Sequence, residues 1–416
     1  MNTCTRWGLA GLLWLLSGIS AWAQPIKIAY IEVLSGTMGN VGELAGKNLQ
    51  FVVDDANARG GALGRKFEVV RFDSKGSPQE ALAALKLAID QGIQIVTQGN
   101  SSAVAGALIE AIDKHNQRSP DKRVLFLNFG AIDPDLTNDK CNYWHFRFDA
   151  NSDMKMAAIT DAIKQDKNVK KVYLINQDYA FGHQVTRAAK EQLAAKRPDI
   201  QIVGEDLHPF GRVKDFSPYI AKMRAAGADT VISGDWGADL TLLVRAAKDA
   251  KFDVNWYTYY AGAYGSAAAI GEAGIGQVKV IVEWSPNWGV SPKMDEFNAA
   301  YKKKHPAAPD EFYYYRMKLM MGMLTQAIER SKSTDPGKLA NALAGMSYAA
   351  EVGTVTMRAE DHQLLLPMII PTFGKEGSPG VRFGLEGSGF GFGNPVVIPA
   401  KDIALPTSCK MAKPAA

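Results

Sequence analysis

The residues best placed to engage a small molecule lie in short clusters between apolar runs. Gln98-Gly99-Asn100-Ser101-Ser102 sets amides and hydroxyls where the run Ile93–Thr97 gives way to a helical pattern. At a helix amino end such groups join free backbone N–H groups, and the combination suits a carboxylate or another acceptor. Ser101 or Ser102 could equally do no more than cap the helix. A second set is aromatic: Tyr179 and Phe181 follow one predicted strand, Asp235-Trp236 another, and Tyr257, Tyr259 and Tyr260 a third. Trp and Tyr at strand ends can stack on a ring and hydrogen-bond at their polar edge, although core filling accounts for some of them.

Catalytic signatures are missing. There is no G-x-S-x-G elbow, no H-E-x-x-H and no G-x-x-x-x-G-K-[ST] loop. Histidines 115, 145, 183, 208, 305 and 362 are isolated, without metal-ligand spacing, and surface or structural roles are expected of them. Three cysteines without C-x-x-C spacing argue against structural zinc. No metal, cofactor or enzymatic activity is expected. The 47 basic and 43 acidic residues nearly cancel, and their scatter excludes a nucleic-acid binder.

The elements that must position these clusters are legible in the periodicity. Residues 1–23 read as a cleaved signal peptide: Arg6, an uncharged apolar run from Trp7 to Ile19, then Ala21-Trp22-Ala23. Export makes a disulfide between Cys141 and Cys409 the preferred reading, with two separate buried thiols as the alternative. From Pro25 onward strands and helices alternate. Ile26–Val33 reads as a buried parallel strand, and Ser77-Pro78-Gln79-Glu80 as a helix start with a capping box. The pattern restarts near Asn151, with Ser217-Pro218 repeating the helix-start signal. Two consecutive βα arrays predict an α/β protein of two doubly wound lobes with a cleft between them. Past Val278 helices are predicted at Lys293–Lys304, Glu311–Arg330 and Pro336–Ala344, in a tail that completes both lobes. Ligands of doubly wound sheets sit outside the strand carboxyl ends, where both clusters fall.

The run Asn57-Ala58-Arg59-Gly60-Gly61-Ala62-Leu63-Gly64, then Asp73, Pro78 and Ala81, resembles the branched-chain amino-acid binding family. These are type I periplasmic solute-binding proteins of ABC transporters. The likeness continues through Ser35-Gly36, Gly99 to Ser102, Pro134, Leu136-Thr137, Phe146-Arg147, Phe181-Gly182, Asp215-Phe216 and Ala228-Asp229. Arg358 with Asp361-His362-Gln363 is similar to a marker of longer members, whose ligands include amides and aromatic acids. The resemblance implies a lobe of residues 24–148 plus about 281–365 and a second of 149–280 plus about 366–416, joined by three crossings. It implies a monomer in the periplasm that closes on a small-molecule solute and is read by an ABC permease with its ATPase.

By the same resemblance the ligand carboxylate meets first-lobe hydroxyls and amides, while an acid and an aromatic of the second lobe meet the ammonium. The expected ligand residues are Asn100, Ser101, Ser102, Gly130, Ile132, Tyr179, Phe181, Asp235, Trp236 and Tyr260. Two of them depart from the family pattern. Ile132 falls where a carboxylate-binding Thr is usual, and Tyr260 where the ammonium-binding acid is usual; Asp235 could substitute a charge. Losing a charged partner in a desolvated site is costly. An aromatic acid or an amide thereby becomes a credible solute beside an amino acid. The rival reading is a periplasmic sensor that presents such a ligand to a signalling receptor.

Overall fold

A computed structural model describes residues 24–262, 265–288 and 291–414; the expected signal segment lies outside the described residues. The first lobe is built on five parallel strands, β1 (Ile26–Glu32), β2 (Phe67–Asp73), β3 (Ile95–Gln98), β4 (Leu125–Asn128) and β5 (His145–Arg147), in the order β2-β1-β3-β4-β5. Every β1 residue except Lys27 is buried, as a central strand covered on both faces requires. Helices α1 (Gly39–Ala58), α2 (Pro78–Asp90) and α3 (Ser102–Arg118) connect the first four strands.

Helix α4 (Ser152–Gln165) opens the second lobe, followed by β6 (Lys171–Gln177), α5 (Ala180–Lys196), β7 (Gln201–His208), α6 (Ser217–Ala225), β8 (Thr230–Ser233), α7 (Gly237–Asp249), β9 (Asn255–Thr258), α8 (Ser266–Ile270) and β10 (Val278–Val280). The chain then returns to the first lobe with α9 (Pro292–Lys304), α10 (Tyr315–Ser331) and α11 (Pro336–Leu343), of which α10 packs on α1 and α11. A small antiparallel sheet follows: β11 (Ser347–Ala350), β12 (Gly353–Met357) and β13 (Leu364–Leu365). Finally β14 (Met368–Lys375) and β15 (Phe390–Ile398) pair antiparallel on the edge of the second sheet, whose order is β15-β14-β10-β9-β8-β6-β7. Beyond that sheet the chain turns back. Thr407 Oγ1 donates to Thr137 O at 3.1 Å, and Cys409 is disulfide-bonded to Cys141 with Cα atoms 5.7 Å apart.

The connections between lobes are tied by polar side chains. Arg147, fully buried at the end of β5, donates through Nε to Gln363 Oε1 at 2.7 Å, and Gln363 Nε2 donates to Asp149 O at 2.7 Å. His362 stacks on Phe146 at 3.8 Å, and Arg358 pairs with Asp361. The Arg358–Gln363 motif therefore fastens the approach to β13 against the exit from β5.

Two expectations need correction. The helix expected from Glu311 begins at Tyr315, because a side chain of α1 intercepts the preceding backbone. Buried Asn48 accepts from the N–H groups of Tyr313 at 2.7 Å and Tyr314 at 3.0 Å and donates to Glu311 O at 2.9 Å. Ser77 precedes α2 with Pro78 at the first helical position, but no capping box forms. Its hydroxyl donates to Gln79 Oε1 at 3.0 Å, and Glu80 pairs with Lys75 at 3.5 Å instead.

Candidate functional site

Three helix amino ends converge on the cleft. Helix α3 follows β3, α5 follows β6 and α7 follows β8, each directly at a strand carboxyl end. Ser101 caps α3, its Oγ accepting from Val104 N at 3.4 Å. Ser102 Oγ instead accepts from Asp133 N at 3.3 Å and pins the loop after β4. The residues before α5 and α7, Tyr179 and Trp236, give no side-chain cap, so both ends keep their first N–H groups for other partners.

A pocket of about 320 Å³, partly open to solvent, lies here, of which about 20 Å³ accommodates the centres of water-sized spheres. That is room for about one water, so a solute enters only if the walls part. The first-lobe wall is Gly99 to Ser102 with Gly130, Ala131 and Ile132. The second-lobe wall is Tyr179, Phe181, Trp236 and Tyr260. Trp236 Nε1 donates to Tyr179 Oη at 2.8 Å, and Gln177 Nε2 donates to Trp236 O at 3.2 Å, so the residue is held through both its indole and its backbone. Phe181 lies 6.2 Å from Tyr260, edge to face. Burial, and then Asp149, holds the Tyr260 phenol well above its ordinary pKa. It stays protonated and can donate a hydrogen bond.

Of the expected residues, only Asp235 is absent from the cavity wall. It is fully buried and accepts from His208 Nε2 at 3.0 Å, so its charge is directed into the second lobe. The residue that the sequence reasoning missed is Arg316, in the first turn of α10, which lines the cavity between the two walls. It sits inside a Met-rich helical pattern that reads as core, and it comes from the tail. The only available signal was an Arg at a core-facing helical position.

Arg316 anchors a buried charge cluster. Its Nη1 donates to Glu283 Oε1 at 2.9 Å and Oε2 at 3.1 Å, and its Nε lies 3.4 Å from Asp149 Oδ2. Lys155 Nζ pairs with the same Asp149 oxygen at 2.8 Å. All four side chains are essentially inaccessible. Burial opposes the Arg316 charge, but Glu283 and Asp149 outweigh it and hold the guanidinium above its ordinary pKa. Burial lowers Lys155. Tyr314 stacks under the guanidinium at 4.7 Å and donates from Oη to Asn100 Oδ1 at 3.1 Å, joining the cluster to the first-lobe loop.

On the first lobe Glu32, the last residue of β1, is 1% exposed. Its Oε1 accepts from Gly99 N at 2.7 Å and Asn100 N at 2.9 Å, and its Oε2 from Val33 N at 3.1 Å. Burial pushes its pKa up to about 7 against the lowering effect of those N–H groups. Among the described residues no group of His, Cys, Asp and Glu side chains is arranged to hold a metal.

The fold and the cleft define a class: a hinged two-lobe solute trap. Residues 25–377 match the family described as "Periplasmic binding protein". Leu/Ile/Val-binding protein homolog 4 of Brucella melitensis is 32% identical, over 99% of this chain and 97% of its own. The closed crystal structure of a leucine-, isoleucine-, valine-, threonine- and alanine-binding protein from Brucella ovis superposes with a TM-score of 0.81. It is 30% identical and covers 94% of this chain and 100% of its own. A Rhodopseudomonas palustris solute-binding protein in complex with benzoate shares the fold at 18% identity, TM-score 0.74, over 93% of this chain and 99% of its own. The chain belongs to the periplasmic binding proteins of the Leu/Ile/Val-binding type, which are solute-binding proteins rather than enzymes. Among the described residues no helix is long and apolar enough to cross a membrane.

Proposed function

We propose that the protein delivers a small carboxylate solute, amino-acid-like or aromatic, to an ABC importer and holds it in the cleft between Ser101 and Trp236. The observation that carries this reading is the asymmetry of the cavity wall. One side offers Arg316 and the amino end of α3; the other offers Tyr179, Phe181, Trp236 and Tyr260; among the described residues, no wall residue is acidic. A helix amino end and a guanidinium both favour an anionic head group. Aromatic faces favour a planar ring or an apolar side chain, and they can also receive an ammonium by cation–π attraction. The relatives' names point the same way, to leucine, isoleucine and valine for one and benzoate for another.

Calorimetry against leucine, benzoate, 4-hydroxybenzoate and the corresponding uncharged amides tests the reading. At least one carboxylate should bind, and its amide should bind at least tenfold more weakly, because a charge-assisted hydrogen bond is lost. Equal affinity for a carboxylate and its amide would refute the anion site. Loss of solute uptake in cells lacking the protein, restored by its return, tests the transport role against a sensory one.

A further inference from the structure

The charges around the cleft do not balance evenly. Arg316 and Lys155 are matched by Asp149 and Glu283, two cations against two carboxylates in contact. Glu32 stands outside that set. Among the described residues it has no ion-pair partner; three backbone N–H groups donate to it, and the Asn100 side-chain amide also helps to lower its pKa. Tyr30 on its own strand and Tyr314 ahead of α10 are the titratable neighbours that face it, and neither is a cation. Asp73, its register partner on β2, turns away and accepts from Leu34 N at 3.0 Å and Lys75 N at 2.8 Å. Arg316 is connected to it through Asn100 and Tyr314, and is committed to Glu283 and Asp149.

Gly99 and Asn100 belong to the cavity wall, and their N–H groups end on Glu32 rather than in the cavity. A solute carboxylate bound at Asn100 to Ser102 therefore shares one short strip of backbone with a buried carboxyl group. We propose that Glu32 is a specificity determinant for solute charge: ionised, it opposes a net-anionic solute, and protonated, it admits one. The inference rests on the cleft being the solute site. When an anion binds near neutral pH or above, Glu32 takes up one proton from solvent, so anion and proton enter together and no net charge is added. A zwitterionic amino acid brings no net charge, and its binding draws less on this proton. With its pKa raised to about 7, Glu32 changes state between about pH 5.5 and about pH 8.5.

The test compares wild type with Glu32→Gln by calorimetry at about pH 5.5 and about pH 8.5, using benzoate as the anion and leucine as the zwitterion, in two buffers of different ionisation enthalpy. A one-unit rise of the Glu32 pKa on binding corresponds to about tenfold in affinity. Wild-type affinity for benzoate should fall at least tenfold from the lower to the higher pH, with proton uptake at the higher. Glu32→Gln should show neither the fall nor the uptake and should bind benzoate at least tenfold more tightly than wild type at the higher pH. The fall for leucine should be smaller. Parallel pH profiles in wild type and variant would overturn the proposal. If neither probe binds, the ligand-class reading fails on its own, and infrared spectroscopy decides the role of Glu32. A protonated-carboxyl band in wild type at about pH 5.5, absent from Glu32→Gln and lost from wild type by about pH 8.5, supports it. Its absence from wild type at the lower pH overturns it.

Discussion

Trp236 is the side chain on which the second-lobe wall turns, since its indole N–H holds Tyr179 and its backbone carbonyl is held by Gln177. Trp236→Ala removes a stacking face worth about 0.5–1.5 kcal/mol beyond its area. The area itself contributes roughly 1.5–3 kcal/mol, so solute affinity should fall by more than tenfold in calorimetry. Glu32 contributes to the pH dependence of stability even without a solute. Its folded pKa is raised from 4.5 to about 7, so its contribution is fully present below about pH 4.5 and is lost as pH rises through the folded value. Relative to Glu32→Gln, wild type should therefore lose about 3 kcal/mol between about pH 4.5 and about pH 8, with most of the change below pH 7. Urea unfolding across that range checks the sign; a flat difference would contradict it. Nine of the ten expected residues line the cavity, and most of them stood out because they follow apolar runs. Arg316 was not, because nothing in a Met-rich helix distinguishes an arginine that reaches a cleft from one that snorkels to solvent. Asp235 was misread for a related reason: its partner His208 lies 27 residues earlier, at the end of β7, two strands away in the sheet.

The first βα unit of each lobe is set by a close approach of helix to strand. An added Cβ at Gly42 in α1 would lie 1.9 Å from Val33 O, and one at Gly182 in α5 would lie 1.8 Å from Gln177 O. Only glycine lets each helix start this near the strand end, which is where the strand must hand its solute-facing loop to the helix. Gly182→Ala must push the start of α5 away and carry Tyr179 and Phe181 with it. It should destabilise the protein by about 1–3 kcal/mol and weaken solute binding as well. Thermal unfolding and calorimetry on the same preparation would show both effects; a loss of stability with unchanged affinity would separate α5 from the site. Strand and helix order in both arrays was readable from apolar periodicity, since both kinds of element bury a continuous face. The start of α10 was not, because it is decided by Asn48, more than 260 residues away in sequence. A local pattern carries no record of such a long-range cap.

At the scale of the whole molecule, a solute is gripped only if the lobes move. The cavity between them leaves about 20 Å³ for water-sized centres, too little for a solute, so entry and release require the walls to separate. Arg316, from the first lobe, binds Asp149 and Glu283, which lie where the chain crosses between lobes, so the cavity wall and the crossings share one set of ion pairs. The two arrays were foreseeable from the restart of the pattern near Asn151, and the bond from the tail to Cys141 from export and an even pair of cysteines, although sequence gives no distance between two sulfurs. A solute that binds the closed form better shifts the population toward it in proportion to that preference. Small-angle X-ray scattering of wild type and Trp236→Ala, with and without the carboxylate that calorimetry identifies, tests the account most directly. Wild type should contract when that carboxylate is added, and Trp236→Ala at the same concentration should keep its open dimensions. Unchanged wild-type dimensions while calorimetry shows the site filled would contradict closure on a carboxylate held between Arg316 and Trp236.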